Sequence, residues 1–289
     1  MPISKRERAV ATADSLNKSR QLADLLGVPF DEQAVESDAN QLLYLYFEEI
    51  KKALPDATQH YHFLSYGSRD FTASAGRDRK GNKIIEIDEH WSFFLYNANI
   101  ILCIWACIVL DDSEKAELVQ LFRESLNAFS NKEHHEDFRE RMWPTLVRHV
   151  KVLALANLLT AAMVSYLICH ELAHHNLHHL DQPHSHHTEF EADELGYSYF
   201  CKIIEQFGTL KKLKVTPNMH GAPLIGFEYL KAAEWVYNTD SNGSHPLAKE
   251  RIRRLTPLFE QYASAESKEL WTGLQASSVE LLEAAQQLG

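Results

Sequence analysis

Leu167-Ile168-Cys169-His170-Glu171-Leu172-Ala173-His174 closes an apolar stretch that begins at Val152, and the reading of this stretch decides the fold. Only Asn157, Thr160, Ser165 and Tyr166 interrupt the apolar residues between Val152 and Cys169. A segment apolar on nearly every face predicts a helix buried in a protein core. A membrane span needs about 20 largely apolar residues, and the interruptions favour the core reading. On a helix, His170 and His174 lie one turn plus about 40° apart, so both imidazoles can face one metal ion. Glu171 then flanks the ion as a proton acceptor.

The chain holds 16 histidines and 26 glutamates in 289 residues, so accidental HExxH matches are expected about 0.08 times. The motif needs supporting residues. A mononuclear catalytic zinc takes three protein ligands and keeps one position open. Downstream stands Thr188-Glu189-Phe190-Glu191-Ala192-Asp193-Glu194, where a second helix is expected to start. Thr188 and Glu191 have the spacing of a capping box, which gives Glu191 a structural task. Glu189 is then the expected third ligand. Asp193, four residues on and on the same helical face, is placed to orient a ligating histidine. The alternative for this acidic run is a favourable first turn at the positive end of a helix dipole. A helix ending near His179 and another starting at Thr188 predict a hairpin around Leu180 to His187, with both motifs within reach of one ion.

His170-Glu171-Leu172-Ala173-His174, Glu189-Phe190-Glu191-Ala192-Asp193 and the later Ser244-His245-Pro246-Leu247-Ala248-Lys249-Glu250-Arg251-Ile252 together resemble the gluzincin metallopeptidases. The pattern is most similar to the Lit-type phage-exclusion peptidases (peptidase U49), with M48-type enzymes as more distant look-alikes. The likeness covers about residues 150 to 255. It implies a zincin-like fold with one catalytic Zn2+ held by His170, His174 and Glu189. It also implies catalysis by Glu171, support from Asp193, and cleavage of a specific intracellular protein in phage exclusion. The gap from His174 to Glu189 is short beside that of the M48 enzymes, so their membrane-embedded architecture is not carried over.

His245 is the candidate donor to a developing oxyanion, presented by an expected tight turn at Asn242-Gly243-Ser244. The competing reading is a histidine at a loop-to-helix junction with Pro246 at the first helical position. Arg251 can pair with Asp193 or Glu250, or simply solvate a helix. His175, His178, His179, His184, His186 and His187 are out of ligand register and are expected at the surface or in support of the site. They also leave open a non-catalytic alternative, a helical His-rich metal-binding or regulatory interaction protein.

A net charge of −11 without a Lys/Arg stripe excludes an obvious nucleic-acid footprint. Met1 to Arg8 lacks the apolar core of a secretory signal, and a cytoplasmic location is expected. Cys103, Cys107, Cys169 and Cys201 form no CxxC pair and read as reduced core residues. The partners expected are a protein or peptide substrate, with no nucleic acid and no membrane span.

The fold class is α+β and mostly helical. Residues 1–140 form a helical and small-sheet half and 141–289 a helical peptidase half, packed as one compact unit. Residues 60–66 and 83–88 predict a small antiparallel sheet, with Lys83 to Asp88 as an edge strand that can align a substrate backbone. Helices are expected up to about residue 55 and at 91–110, 112–129, 144–179, 188–206, 223–238, 246–262 and 266–286. Asp112 or Ser113 is expected to cap the second of the internal helices, and Pro144 to open the long one.

Overall fold

A computed structural model of the chain describes residues 17–27, 30, 32–66, 72–130, 135–183, 185–207, 219–237 and 245–287. Met1 to Arg8, His184 and the Asn242-Gly243-Ser244 turn lie outside the described residues. The helices are α1 (residues 17–26), α2 (Glu32–Ala53), α3 (His90–Cys107), α4 (Asp112–Ser130), α5 (His135–Arg148) and α6 (Leu153–Asn176). They continue as α7 (His186–Phe207), α8 (Ala222–Tyr237), α9 (Ala248–Tyr262) and α10 (Ala265–Gln287). Three strands, β1 (Tyr61–Tyr66), β2 (Ala73–Arg77) and β3 (Lys83–Asp88), lie between α2 and α3.

Helix α6 is the axis of the molecule. It packs against α3, α7 and α8, and against β2 and β3. Leu159, Val164, Ile168, Cys169 and Leu172 are all fully buried, so opposite faces of α6 need partners. Each such side chain contributes roughly 1.5–3 kcal/mol when removed from water. Residues 150–176 have the length and apolarity to cross a membrane, but 67% of the apolar window is covered by the rest of the protein. Buried hydrophobic side chains run from Leu43 to Ala285 in one continuous core.

The sheet corrects the antiparallel expectation. Its order is β1-β3-β2, with β1 parallel to β3 and β2 antiparallel to it. β3 takes the middle because Ile85, Ile87 and Asp88 have no exposed surface, and a strand covered on both sides belongs at the centre. Lys83 to Asp88 is therefore paired along both edges and offers no free backbone. β2 pairs only with β3 among the described residues and is the edge strand that runs along α6. The β2–β3 turn is closed by Asp78, whose carboxylate accepts the Lys80 and Asn82 amides, and by Gly81 at φ +82°.

The helix expected at 144–179 is two helices. Pro144 lies inside α5, and the break comes at His149, whose φ −120° and ψ 36° leave the helical region. The His149 amide is shared between the Thr145 and Leu146 carbonyls, which tightens the last turn before a 3-10 turn at Val150–Val152. α4 is capped one residue earlier than expected: Asp111 Oδ1 accepts the Glu114 amide, and Glu114 Oε2 accepts the Asp111 amide, a reciprocal box. Pro246 lies two residues ahead of α9 rather than at its first position. Cys103, Cys169 and Cys201 are buried free thiols as expected, whereas Cys107, at the last position of α3, is exposed.

Candidate active site

α6 and α7 form the expected hairpin, and a glycine sets how close they come. A Cβ on Gly196 would lie 2.9 Å from His170 Cα and 3.0 Å from its nitrogen, so α7 meets α6 backbone to backbone at His170. An isolated glycine in a helix costs about 1 kcal/mol against alanine, and this close approach is what it permits.

The start of α7 differs in detail from the sequence reading. Ser185 is the cap, since its Oγ accepts the Thr188 amide (3.3 Å) and its own amide donates to Thr188 Oγ1 (3.1 Å). Thr188 stands where a box normally has Glu or Gln, which frees Glu191 from capping. Glu191 instead lies 3.4 Å from His179 and 3.7 Å from His187. Glu189 and Asp193 follow on the face turned towards α6, and both are buried.

His170, His174 and Glu189 converge. The two Nε2 atoms are 3.1 Å apart, and Glu189 places Oε2 3.4 Å from His170 Nε2 and Oε1 3.5 Å from His174 Nε2. These three buried residues form a group able to hold a metal ion. Ligand atoms about 2.0–2.1 Å from a tetrahedral ion sit about 3.3–3.4 Å from one another, close to the separations found. The donor set also asks for a cation: Glu189 Oε2 is buried and accepts no well-aligned hydrogen bond, although His245 Nδ1 and His170 Nε2 lie 3.2 and 3.4 Å from it.

Electrostatics agree with that reading. Burial opposes charge on His170, yet the Asp193 and Glu189 carboxylates push its pKa up to about 9. Burial and the neighbouring His170 charge drive His174 down to about 3. Glu189, despite burial, is held well below the usual carboxylate range by His170 and His245. The cluster thus binds one positive charge tightly, and an arriving metal ion displaces a proton. Glu171 is buried beside this group, and burial raises its pKa.

Asp193 orients His170 at 3.0 Å from Nδ1. It also accepts Tyr166 Oη (2.8 Å) and Arg251 Nε (2.7 Å), so Arg251 pairs with Asp193 and not with Glu250. The Arg251 guanidinium lies over the Phe227 ring at 4.4 Å, holding the charge pair in an apolar setting. Glu234 of α8 accepts the Ala248 amide and fixes the first turn of α9, from which Arg251 projects. His245 is exposed, with Nδ1 3.2 Å from Glu189 Oε2, and its pKa is raised by that carboxylate.

The other histidines separate. His175 is no surface residue: it is buried and donates from Nε2 to the Ile84 carbonyl (2.7 Å), tying α6 to β3. His179 is buried beneath His174. His178 and His187 are exposed, and His186 leans on Phe190. A cavity of about 420 Å³ opens from the cluster, lined by Glu171 and His245 and by the apolar side chains of Trp91, Phe94, Leu95, Leu167, Phe227 and Leu230.

Residues 110–272, more than half of the chain, match the family model described as Peptidase U49. That span carries every residue of the cluster and leaves out α2, the sheet and α3. No curated protein and no solved structure matches the chain.

Proposed function

Since the chain belongs to the peptidase U49 family and is thereby a peptidase, we propose that it is a zinc-dependent endopeptidase of the gluzincin type. The observation that carries this reading is the buried Glu189 carboxylate, its two oxygens 3.4 and 3.5 Å from two Nε2 atoms that lie 3.1 Å apart. His170, His174 and Glu189 would hold the ion. Two imidazoles and one carboxylate, with one position left open, are the donor set of catalytic zinc. Bound there, zinc supplies Lewis acidity, polarising a peptide carbonyl and bringing the pKa of water towards about 7.

Glu171, its pKa raised by burial, takes the proton of the attacking water and passes it to the departing amine nitrogen. His245 has Nδ1 turned to Glu189, which leaves Nε2 to donate to the carbonyl oxygen as charge develops. Asp193 fixes the His170 ring, and Arg251 keeps Asp193 ionised. β2, the edge strand, brings Ala73 to the cavity and can align an extended substrate backbone.

Cutting inside a chain, rather than at its end, is supported by the charges around the cavity. Among the described residues its one Lys or Arg is Arg251, and that guanidinium is bound to Asp193. Among the described lining residues no free Lys or Arg waits for a terminal carboxylate. The largely apolar lining of the cavity suits a large apolar side chain of the substrate. A role in phage exclusion, and a single cytoplasmic protein as target, follow from the likeness to the Lit-type peptidases. The test compares peptides released from a host proteome by the wild-type chain and by Glu171→Gln. Cleavage at a few sites, reduced about 10²–10⁴-fold in the variant, is expected; equal cleavage by both would contradict the assignment.

A further inference from the structure

The second ring nitrogen of His174 faces another histidine. His174 Nδ1 and His179 Nδ1 are 3.1 Å apart, and two ring nitrogens at that distance need one proton between them. When His174 keeps a lone pair on Nε2 for a metal ion, the proton of its neutral ring sits on Nδ1 and points at His179. His179 must then accept at Nδ1 and carry its own proton on Nε2. That Nε2 lies 3.4 Å from Glu191 Oε2. One assignment of tautomers therefore satisfies the whole chain His174, His179, Glu191.

The backbone is shaped to make this contact. α6 stops at Asn176, His178 takes the left-handed conformation at φ 58° and ψ 30°, and a 3-10 turn follows at His179–Asp181. A non-glycine residue at positive φ is uncommon and costs free energy. Here it turns the chain back so that the His179 ring lies under His174, 3% exposed, with ring centroids 5.2 Å apart at 71°. The turn is anchored from the far side by Arg77 of β2, bidentate to Asp181 at 2.8 and 2.9 Å. Packing alone needs only an apolar ring at this place; the aligned nitrogens need a histidine.

We propose that His179, backed by Glu191, is the positioning residue for His174, holding its ring with Nε2 free to ligate and so setting the metal affinity of the site. The inference rests on the metal-centre reading above. It gives the two ligating histidines separate supports: Asp193 with Arg251 for His170, and His179 with Glu191 for His174.

The experiment measures the zinc Kd of the full chain by competition with a chelator, alongside the Co2+ absorption spectrum. His179→Phe keeps the bulk and removes the acceptor; Kd should rise about 10–100-fold and the Co2+ bands should shift. His179→Asn, whose amide oxygen can take the place of Nδ1, should restore most of the affinity. Glu191→Gln should weaken binding less than His179→Phe. In the zinc-loaded wild type, ¹⁵N shifts should place the proton of His174 on Nδ1 and that of His179 on Nε2. An unchanged Kd in His179→Phe, or the opposite tautomer at His179, overturns the positioning role alone. A wild-type chain that holds no zinc overturns the metal-centre reading and this one with it.

Discussion

The two ends of α6 bury polar groups in opposite ways. Towards its N-terminus, Thr160 donates to the Ala156 carbonyl and accepts from Asn99, whose carbonyl oxygen accepts Tyr229 Oη at 3.0 Å. All of these partners are neutral. In its last two turns, His170, Glu171 and His174 meet Glu189, Asp193 and Arg251, and one buried carboxylate oxygen of Glu189 accepts no well-aligned hydrogen bond. The first arrangement fixes how α3, α6 and α8 pack. The second keeps a charge imbalance inside a low-dielectric site, where it is worth most to a bound cation. Within one helix, a closed polar network marks architecture and an open one marks chemistry.

The largest break in this comparison is Arg251→Met. It removes the bidentate cation from Asp193 and leaves a buried carboxylate supported only by His170 and Tyr166, at a cost of about 3–5 kcal/mol. Chemical denaturation reads this directly, and a loss below 1 kcal/mol would mean that the Arg251–Asp193 pair does not hold the site together.

Gly196→Ala follows. The added methyl meets the His170 backbone and forces α7 outward, costing about 1–3 kcal/mol. Because Glu189 and Asp193 ride on α7, zinc affinity should fall together with stability, a coupling that thermal melts with and without zinc would detect.

Thr160→Val, at the closed end, is the smallest change. It takes one oxygen from Asn99 and should cost about 1 kcal/mol, with zinc affinity unchanged. A fall in affinity here would erase the distinction between the two ends.

Local patterns in the sequence carried the helices and the ligand spacing, because 3.6-residue periodicity alone brings His170, His174 and Glu171 together on α6. Glu189 was also legible, though for a reason the structure replaces: Ser185 and Thr188 form the cap, and Glu191 serves His179. Gly196 carries a signal of its own, since a lone glycine within a helical pattern points to close packing. His179 left none. Its place depends on a single left-handed residue, His178, and on a clamp from β2 more than a hundred residues away in the chain. The order of the sheet was equally hidden, as parallel pairing of β1 with β3 is a long-range outcome of which strand buries most.

The central claim is that His170, His174 and Glu189 hold one zinc ion while Glu171 acts beside it. Zinc content per chain, measured after dialysis in wild type, His170→Ala, Glu189→Ala and Glu171→Gln, tests it most directly. One zinc in the wild type and in Glu171→Gln, and none in the other two, is the result expected. Several zinc ions per chain, retained in His170→Ala and Glu189→Ala, would contradict the account and favour a histidine-rich metal binder without this centre.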